Sequence, residues 1–199
     1  AKTEYEPKGM AKKTPDNSPD KALLDEAVKL INEAKKPVIY CGGGVINGNC
    51  SEYIESLVEK SNAYAAFSMM GLTSMDCENK RHLGMSGMHG RYAATKALAE
   101  CDLIVGAGVR FTERATGNKE KFAGKAKIIH LDIDPAEHGK NINAELKIQG
   151  NLSESLSYIL DHIDKKHLPE WDKEVEEYKE KERNSRPEKD CLMPWNVIE

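Results

Sequence analysis

The sequence lacks the marks of several protein classes. No apolar run reaches the roughly 20 residues that a membrane helix needs, so no membrane partner is expected. Positive charge is not in excess: 29 Lys and Arg against 33 Asp and Glu leave a net charge of −4, which argues against a general nucleic-acid binder. There are five cysteines, Cys41, Cys50, Cys77, Cys101 and Cys191. That odd count, without a Cys-x-x-Cys pair or a secretory signal, reads as reduced, buried thiols in a cytoplasmic protein. The six histidines supply no metal-ligand pattern, and glycines separate His82 from His89, so no metal site is assigned. Absent too are a Gly-x-Ser-x-Gly elbow, a His-Glu-x-x-His pair, a Gly-Lys-Ser/Thr phosphate loop and a paired-carboxylate motif; no catalytic residue is assigned.

What is present is an ordinary globular composition, slightly diluted. Apolar residues make up 39% and charged residues 31% of 199, which excludes collagen-like, disulfide-scaffold and fully disordered chains and suffices for one core. The chain opens on Ala1 and closes on Val197-Ile198-Glu199, and both ends are expected to be cuts through a longer protein. Three parts are expected. Residues 1–18, with Pro7 and Pro15, read as an interdomain linker. Residues 19–163 read as the domain. Residues 164–199 read as a charged helix and linker, in which Trp171, Val175 and Tyr178 recur at helical spacing and lay the helix on something.

Within the domain two patterns alternate. Leu24, Ala27, Val28 and Ile31 form one helix face, with Ser18-Pro19 as its expected start. Pro37 to Cys41 reads as a strand, and Asn49 with Glu52 as a capping box for the next helix. Ala63–Phe67, Leu103–Val105, Lys127–Leu131 and Leu146–Ile148 read as further strands. Tyr92–Glu100 and a segment begun by Asn151 and Glu154 read as further helices. The strands are continuous apolar runs, so both sheet faces should be covered. The expected class is α/β: a three-layer, Rossmann-like, doubly wound and mostly parallel sheet of about five to six strands.

Ligands of such sheets bind beyond the carboxyl ends of the strands, and polar and glycine residues follow each strand here. Gly42-Gly43-Gly44 is either a tight turn or an anion nest; it does not complete the dinucleotide fingerprint, since Asn47 stands where the third glycine would be. Met69 and Met70 either pack or contact a flat ring. Gly84 to Gly90 enters a helix and carries Met88 and His89. Arg110 follows Gly106-Ala107-Gly108, placed either for a phosphate or for a nearby carboxylate. Asp132 can accept from ribose hydroxyls, whereas Asp134 reads more simply as a helix N-cap. Together these features point to an elongated, phosphate-containing ligand.

Pro37–Val45, Met70-Gly71-Leu72, Leu83–Gly90, Cys101–Phe111, Arg114–Gly117 and Ile129–Asn141, in that order, resemble the central domain of the acetolactate synthases, in the thiamine-diphosphate-dependent enzyme family. The resemblance runs from about Asp20 to Ile163. It implies FAD held in an extended pose, without a redox role, in an enzyme that joins two 2-oxo acids with loss of CO₂ in branched-chain amino-acid synthesis. The implied FAD contacts are Gly42, Gly43 and Gly44; Met70, Gly71 and Leu72; Met88, His89 and Gly90; Gly108, Val109 and Arg110; Asp132 and Ile133; and Gly150 and Asn151. Arg114 would face the substrate channel. Thiamine diphosphate and Mg²⁺ would belong to the N- and C-terminal domains of the whole enzyme, a homo-oligomer with a possible regulatory subunit, and this part alone would be inactive. Thr112 stands where the family usually carries an acid, Asn151 where it carries Asp, and Thr73 where it carries Gly. Related decarboxylases and carboligases hold ADP here, or nothing, leaving the domain a spacer. A freestanding sirtuin-like NAD binder would require a zinc-binding Cys quartet, which is absent.

Overall fold

A computed structural model describes residues 18–117 and 122–185. The linker expected over 1–18 and the end of the charged segment therefore lie almost wholly outside the described residues, as does Cys191. Six strands form one sheet: β1 (Pro37–Cys41), β2 (Tyr64–Phe67), β3 (His82–Met85), β4 (Leu103–Ala107), β5 (Lys127–Asp132) and β6 (Leu146–Gln149). Their order is β3-β2-β1-β4-β5-β6, and every neighbouring pair is parallel. The longer helices are α1 (Lys21–Glu33), α3 (Ser51–Ser61), α4 (Tyr92–Glu100), α6 (Leu152–His162) and α7 (Pro169–Asn184); α2 (Gly43–Asn47) and α5 (Glu113–Thr116) are single turns.

Alternate strand residues feed two separate cores, which explains the unbroken apolar runs. Ile39, Phe67, Val105 and Ile129 meet the inner faces of α1, α3 and α6 through Leu24, Ile31, Ile54, Leu57 and Ile159. Val38, Tyr40, Tyr64 and Ile104 point the other way, to Ala94 and Leu98 of α4 and Trp171 and Val175 of α7. The Trp171, Val175, Tyr178 stripe thus seats α7 on the sheet. Trp171 is 1% exposed and its indole N–H donates to the Pro37 carbonyl at 3.3 Å.

Local capping departs from expectation at two places. Asp20, not Ser18, caps α1, accepting from the Ala22 N–H at 2.9 Å. Asn49 is not a cap: it takes a left-handed φ of 52° just after α2, and α3 is preceded by Cys50, without a side-chain cap. Asn151 and Asp134 do cap, accepting from Ser153 N–H at 3.1 Å and Ala136 N–H at 2.9 Å. The edge strand β3 falls where the sequence suggested a loop. Cys41, Cys50 and Cys101 are buried, but Cys77 is exposed, against the expectation that every thiol would be inside. Burial pushes the Cys41 thiol up to about 12. Among the described residues no helix is long and apolar enough to cross a membrane.

Candidate functional site

The strand order reverses direction between β1 and β4, and the loops leaving their carboxyl ends diverge to opposite sides. Such a switch point opens a crevice. Here it is a cleft of about 790 Å³, within the roughly 300–1,000 Å³ of small-molecule and cofactor sites.

Its floor is a contact between two backbones. The Gly42 N–H donates to Ala107 O and the Gly44 N–H to Gly108 O, each at 3.0 Å. A Cβ on Gly42 would sit 2.1 Å from Gly108 O, and one on Gly44 would sit 2.7 Å from Gly108 Cα. Gly108 itself has a φ of +54°, which favours glycine. The outer two glycines of the triplet therefore serve the close approach of the β1 and β4 loops, and their N–H groups are engaged within the chain rather than forming an anion nest.

The walls come from four strand ends. Gly43, Gly44 and Asn47 follow β1, and Ser68 to Met70 follow β2. Met85 ends β3 and Ser86, Met88 and His89 follow it, and Gly108 to Thr112 with Arg114 and Ala115 follow β4. Met69, Met70 and Met88 are 78%, 74% and 75% exposed, far more than methionines in a packed core, so they offer soft apolar surface at the mouth. Ser86 hydrogen-bonds the buried Tyr40 hydroxyl at 3.1 Å and the Ala115 carbonyl at 3.3 Å. Burial pushes the Tyr40 phenol up to about 12, so it stays a neutral hydroxyl.

The cleft is electrostatically one-sided. Among the described residues Arg110, Arg114 and His89 line it, and no Asp or Glu does. Arg110 is 74% exposed at its side chain and lies 4.0 Å from Glu137 Oε1, the oxygen that Lys140 binds at 2.8 Å. The carboxylate alternative for Arg110 is thus only a marginal contact, and the guanidinium is available for an anion.

Of the residues implied by the resemblance, Gly42, Gly43, Gly44, Met70, Met88 and His89 line the cleft, as do Gly108, Val109, Arg110 and Arg114. Seven do not. Gly71 is buried beneath the end of β1, where a Cβ would meet Cys41 O at 2.4 Å; Leu72 follows it on the outside. Gly90 closes its own loop, its N–H bonding Gly87 O at 2.9 Å. Asp132, Ile133, Gly150 and Asn151 sit at the ends of β5 and β6, beyond the cleft. Asp132 accepts from the Asp134 N–H at 2.9 Å, Gly150 N–H donates to Asp132 O at 3.2 Å, and Ile133 is 53% exposed. Burial would raise the Asp132 carboxyl, but its contacts to His130 and the Asp134 N–H hold it below its ordinary value.

Sequence reasoning assigned no place in the cleft to Asn47, Ser68, Ser86, Phe111 or Ala115. Met69, Met85 and Thr112 had been noticed without being assigned. Phe111 stands in the sequence only as the end of the Cys101–Phe111 motif; in the structure it adopts a φ of 47°, a region bulky residues rarely enter. It is held there by its ring, packed on Tyr40, Phe122 and His130 at centroid distances of 5.7, 6.0 and 5.0 Å.

Residues 24–159 match the family model described as the thiamine pyrophosphate enzyme, central domain. The chain is 39% identical over 155 residues to an acetolactate synthase of Mycobacterium bovis, covering 78% of this chain and 25% of the relative. It is 38% identical over 167 residues to an acetolactate synthase large subunit of Haemophilus influenzae, covering 81% and 29%. Against the large subunit of Corynebacterium glutamicum it is 42% identical over 147 residues, covering 74% and 24%. The chain therefore spans about a quarter of the length of these relatives. With the six-stranded parallel sheet and its switch-point cleft, these matches make the chain a member of the thiamine pyrophosphate enzyme central-domain family.

Proposed function

We propose that this chain is the cofactor-holding middle part of an acetolactate-synthase-like enzyme, and that its cleft receives the diphosphate and flat ring of FAD. The observation that carries the reading is the rim of Arg110 and Arg114 on a cleft with no acid among its described lining residues. A dianionic diphosphate suits two guanidinium groups, of which Arg110 meets Glu137 only at 4.0 Å. Exposed methionines beside it suit a flat aromatic ring. The glycine contact beneath, which any Cβ would disrupt, keeps the floor low enough for a bulky group. FAD would supply a rigid ring and two phosphates, and no redox step is asked of it. Asp132, Ile133, Gly150 and Asn151 lie on neighbouring strand ends, the register pairing Asp132 with Gln149; an extended ligand leaving the cleft on that side would meet them there.

On this reading, the rest of the enzyme supplies thiamine diphosphate, Mg²⁺ and the condensation of two 2-oxo acids, the whole assembles as an oligomer in the cytoplasm, and the chain alone is inactive. A regulatory subunit would act on the whole enzyme. Equilibrating the protein with FAD, then gel filtration and a thermal melt, tests the cofactor. A yellow protein fraction and a raised Tm are expected. A shift with ADP and none with FAD would favour an ADP-binding spacer of a related decarboxylase or carboligase. No shift with either, and unchanged cofactor content and activity when the longer enzyme carries Arg110→Ala, would sink the FAD reading.

A further inference from the structure

The turn that carries Arg110 is fastened one residue at a time, and besides the Gly44 N–H on Gly108 O and the rings around Phe111 the fastenings come from β5 or the segment after it. Gly108 N–H donates to Leu131 O at 2.8 Å. The Val109 carbonyl lies 2.8 Å from His130 Nε2; a carbonyl only accepts, so Nε2 carries the proton. The Arg110 carbonyl accepts from Asn141 Nδ2 at 2.9 Å. Phe111, in its left-handed conformation, meets the His130 ring edge-on at 5.0 Å and 84°, and Gly106 leaves it room, since a Cβ there would lie 2.5 Å from the Phe111 ring.

His130 is 1% exposed and sits on a strand. Its position is therefore fixed by the sheet before any ligand arrives. In a planar trans peptide the C=O and N–H point in opposite directions. Holding the Val109 carbonyl on the buried His130 thus turns the Arg110 N–H away from the core. The second tether, at the Arg110 carbonyl, stops the next peptide from rotating. Between two pinned peptides, the Cα–Cβ bond of Arg110 has one direction.

We infer that His130 and Asn141 are positioning residues that preorganise the Arg110 turn for an anion. This rests on the reading of the cleft as a diphosphate site. It also gives the Ile129–Asn141 motif a role other than contact with the ligand. Arrangement before binding removes an ordering cost from association, so loss of either tether should weaken binding more than it weakens the fold.

The test uses His130→Phe, which keeps an aromatic ring but loses the donor, His130→Gln, which restores an N–H near the Nε2 position, and the solvent-side Asn141→Ala. Inorganic pyrophosphate and FAD serve as probes, with amide hydrogen exchange at Gly108 as a ligand-free readout. Loss of one such hydrogen bond should weaken both probes about fivefold to tenfold in His130→Phe and Asn141→Ala, and Gly108 exchange should quicken while amides of β1 keep their rates. His130→Gln should regain most of the affinity although it buries an extra polar group. Unchanged affinity and exchange in both donor-less variants would overturn the inference, as would affinities that follow Tm alone with no rescue by Gln. If the unsubstituted protein takes up neither probe, the diphosphate reading fails by itself, and the Gly108 exchange rates then decide whether the tethers hold the turn.

Discussion

The two faces of the sheet are covered in opposite ways. On one, α1, α3 and α6 bring aliphatic stripes into an apolar core, joined by the buried Ser61 and Ser155, which bond their own helices. On the other, α4 is alanine-rich and α7 is mostly charged, yet α7 is seated as firmly in geometry. Two side chains, Trp171 and Val175, provide its buried contact, and a ring of polar contacts surrounds them. Arg81 bridges Asp172 at 3.0 Å and Asn62 binds the same carboxylate at 3.1 Å. Lys36 reaches Glu174 at 2.6 Å, and Glu182 holds both Arg91 and the Ala93 N–H. The first face is built from area, the second from one large anchor and placed charges. The difference bears on the cleft, because the β3–α4 loop with Met88 and His89 belongs to the second face.

The sharpest way to break this contrast is to remove the anchor. Trp171→Ala should cost about 3–5 kcal/mol, against about 2–5 kcal/mol for Ile159→Ala on the other face. Urea unfolding followed by circular dichroism checks it. A single shifted transition means that both faces belong to one cooperative unit; an early, separate loss of α7 would show that it is only strapped on.

Next in size is Gly108→Ala, at the seam between the faces. The new Cβ would enter a left-handed backbone and lie 2.6 Å from Gly44 Cα. Strain of that kind costs on the order of 1–3 kcal/mol, or about 2–12 °C in Tm for a chain of this size, and should open the cleft floor. Equal melting of Gly108→Ala and the unsubstituted protein would show that the two loops do not depend on their contact.

Acid should separate the faces more gently. Burial would raise the Asp172 carboxyl, but its bonds to Arg81 and Asn62 outweigh that and hold it low; Glu174 is held low in the same way by Lys36 and Tyr178. A folded-state pKa below the unfolded one gives stability that is present above the unfolded value and lost as pH falls through the folded one. The α7 face should therefore loosen first below about pH 4, seen as a red shift and weakening of Trp171 fluorescence after Trp195→Phe leaves it the sole tryptophan. Asp172→Asn should flatten that acid limb.

The same contrast decides what the sequence could tell. β1 over Pro37–Cys41 and α4 over Tyr92–Glu100 were legible to the residue, because one is an unbroken apolar run and the other a clean helical stripe. β3 was not: His82-Leu83-Gly84-Met85 holds a glycine at φ +87°, pairs on one side only, and has no apolar run. At the cleft, glycines and Arg110 were legible because they follow strands. Which strand ends line one cleft depends on strand order, and so Asp132, Ile133, Gly150 and Asn151, at the ends of β5 and β6 beside the cleft, are grouped by sequence with the residues that line it. Ser86 and Phe111 enter through hydroxyl and ring packing that no spacing rule records. The hold of Glu182 on Arg91 spans 91 residues and is invisible to any local pattern.

That long-range hold can be weighed against a local one on the same helix. Glu182 reaches the N-terminal end of α4 from α7, where its carboxylate accepts from Arg91 Nε at 2.6 Å and from the Ala93 N–H at 2.9 Å. Arg91 gives α4 no side-chain cap, so Glu182 fills that place from another element, at the helix end where negative charge is favoured. Its side chain is 14% exposed. Glu100 ends the same helix, where negative charge is disfavoured, and its bond to Lys96 lies in solvent, with side chains 37% and 46% exposed. Glu182→Gln should therefore cost about 0.5–2 kcal/mol, as lost caps do, and should loosen the β3–α4 loop in hydrogen exchange. Glu100→Gln should stay within about 0.5 kcal/mol of the unsubstituted protein. Equal effects of the two would mean that α7 lends the cleft loop nothing beyond the apolar grip of Trp171 and Val175.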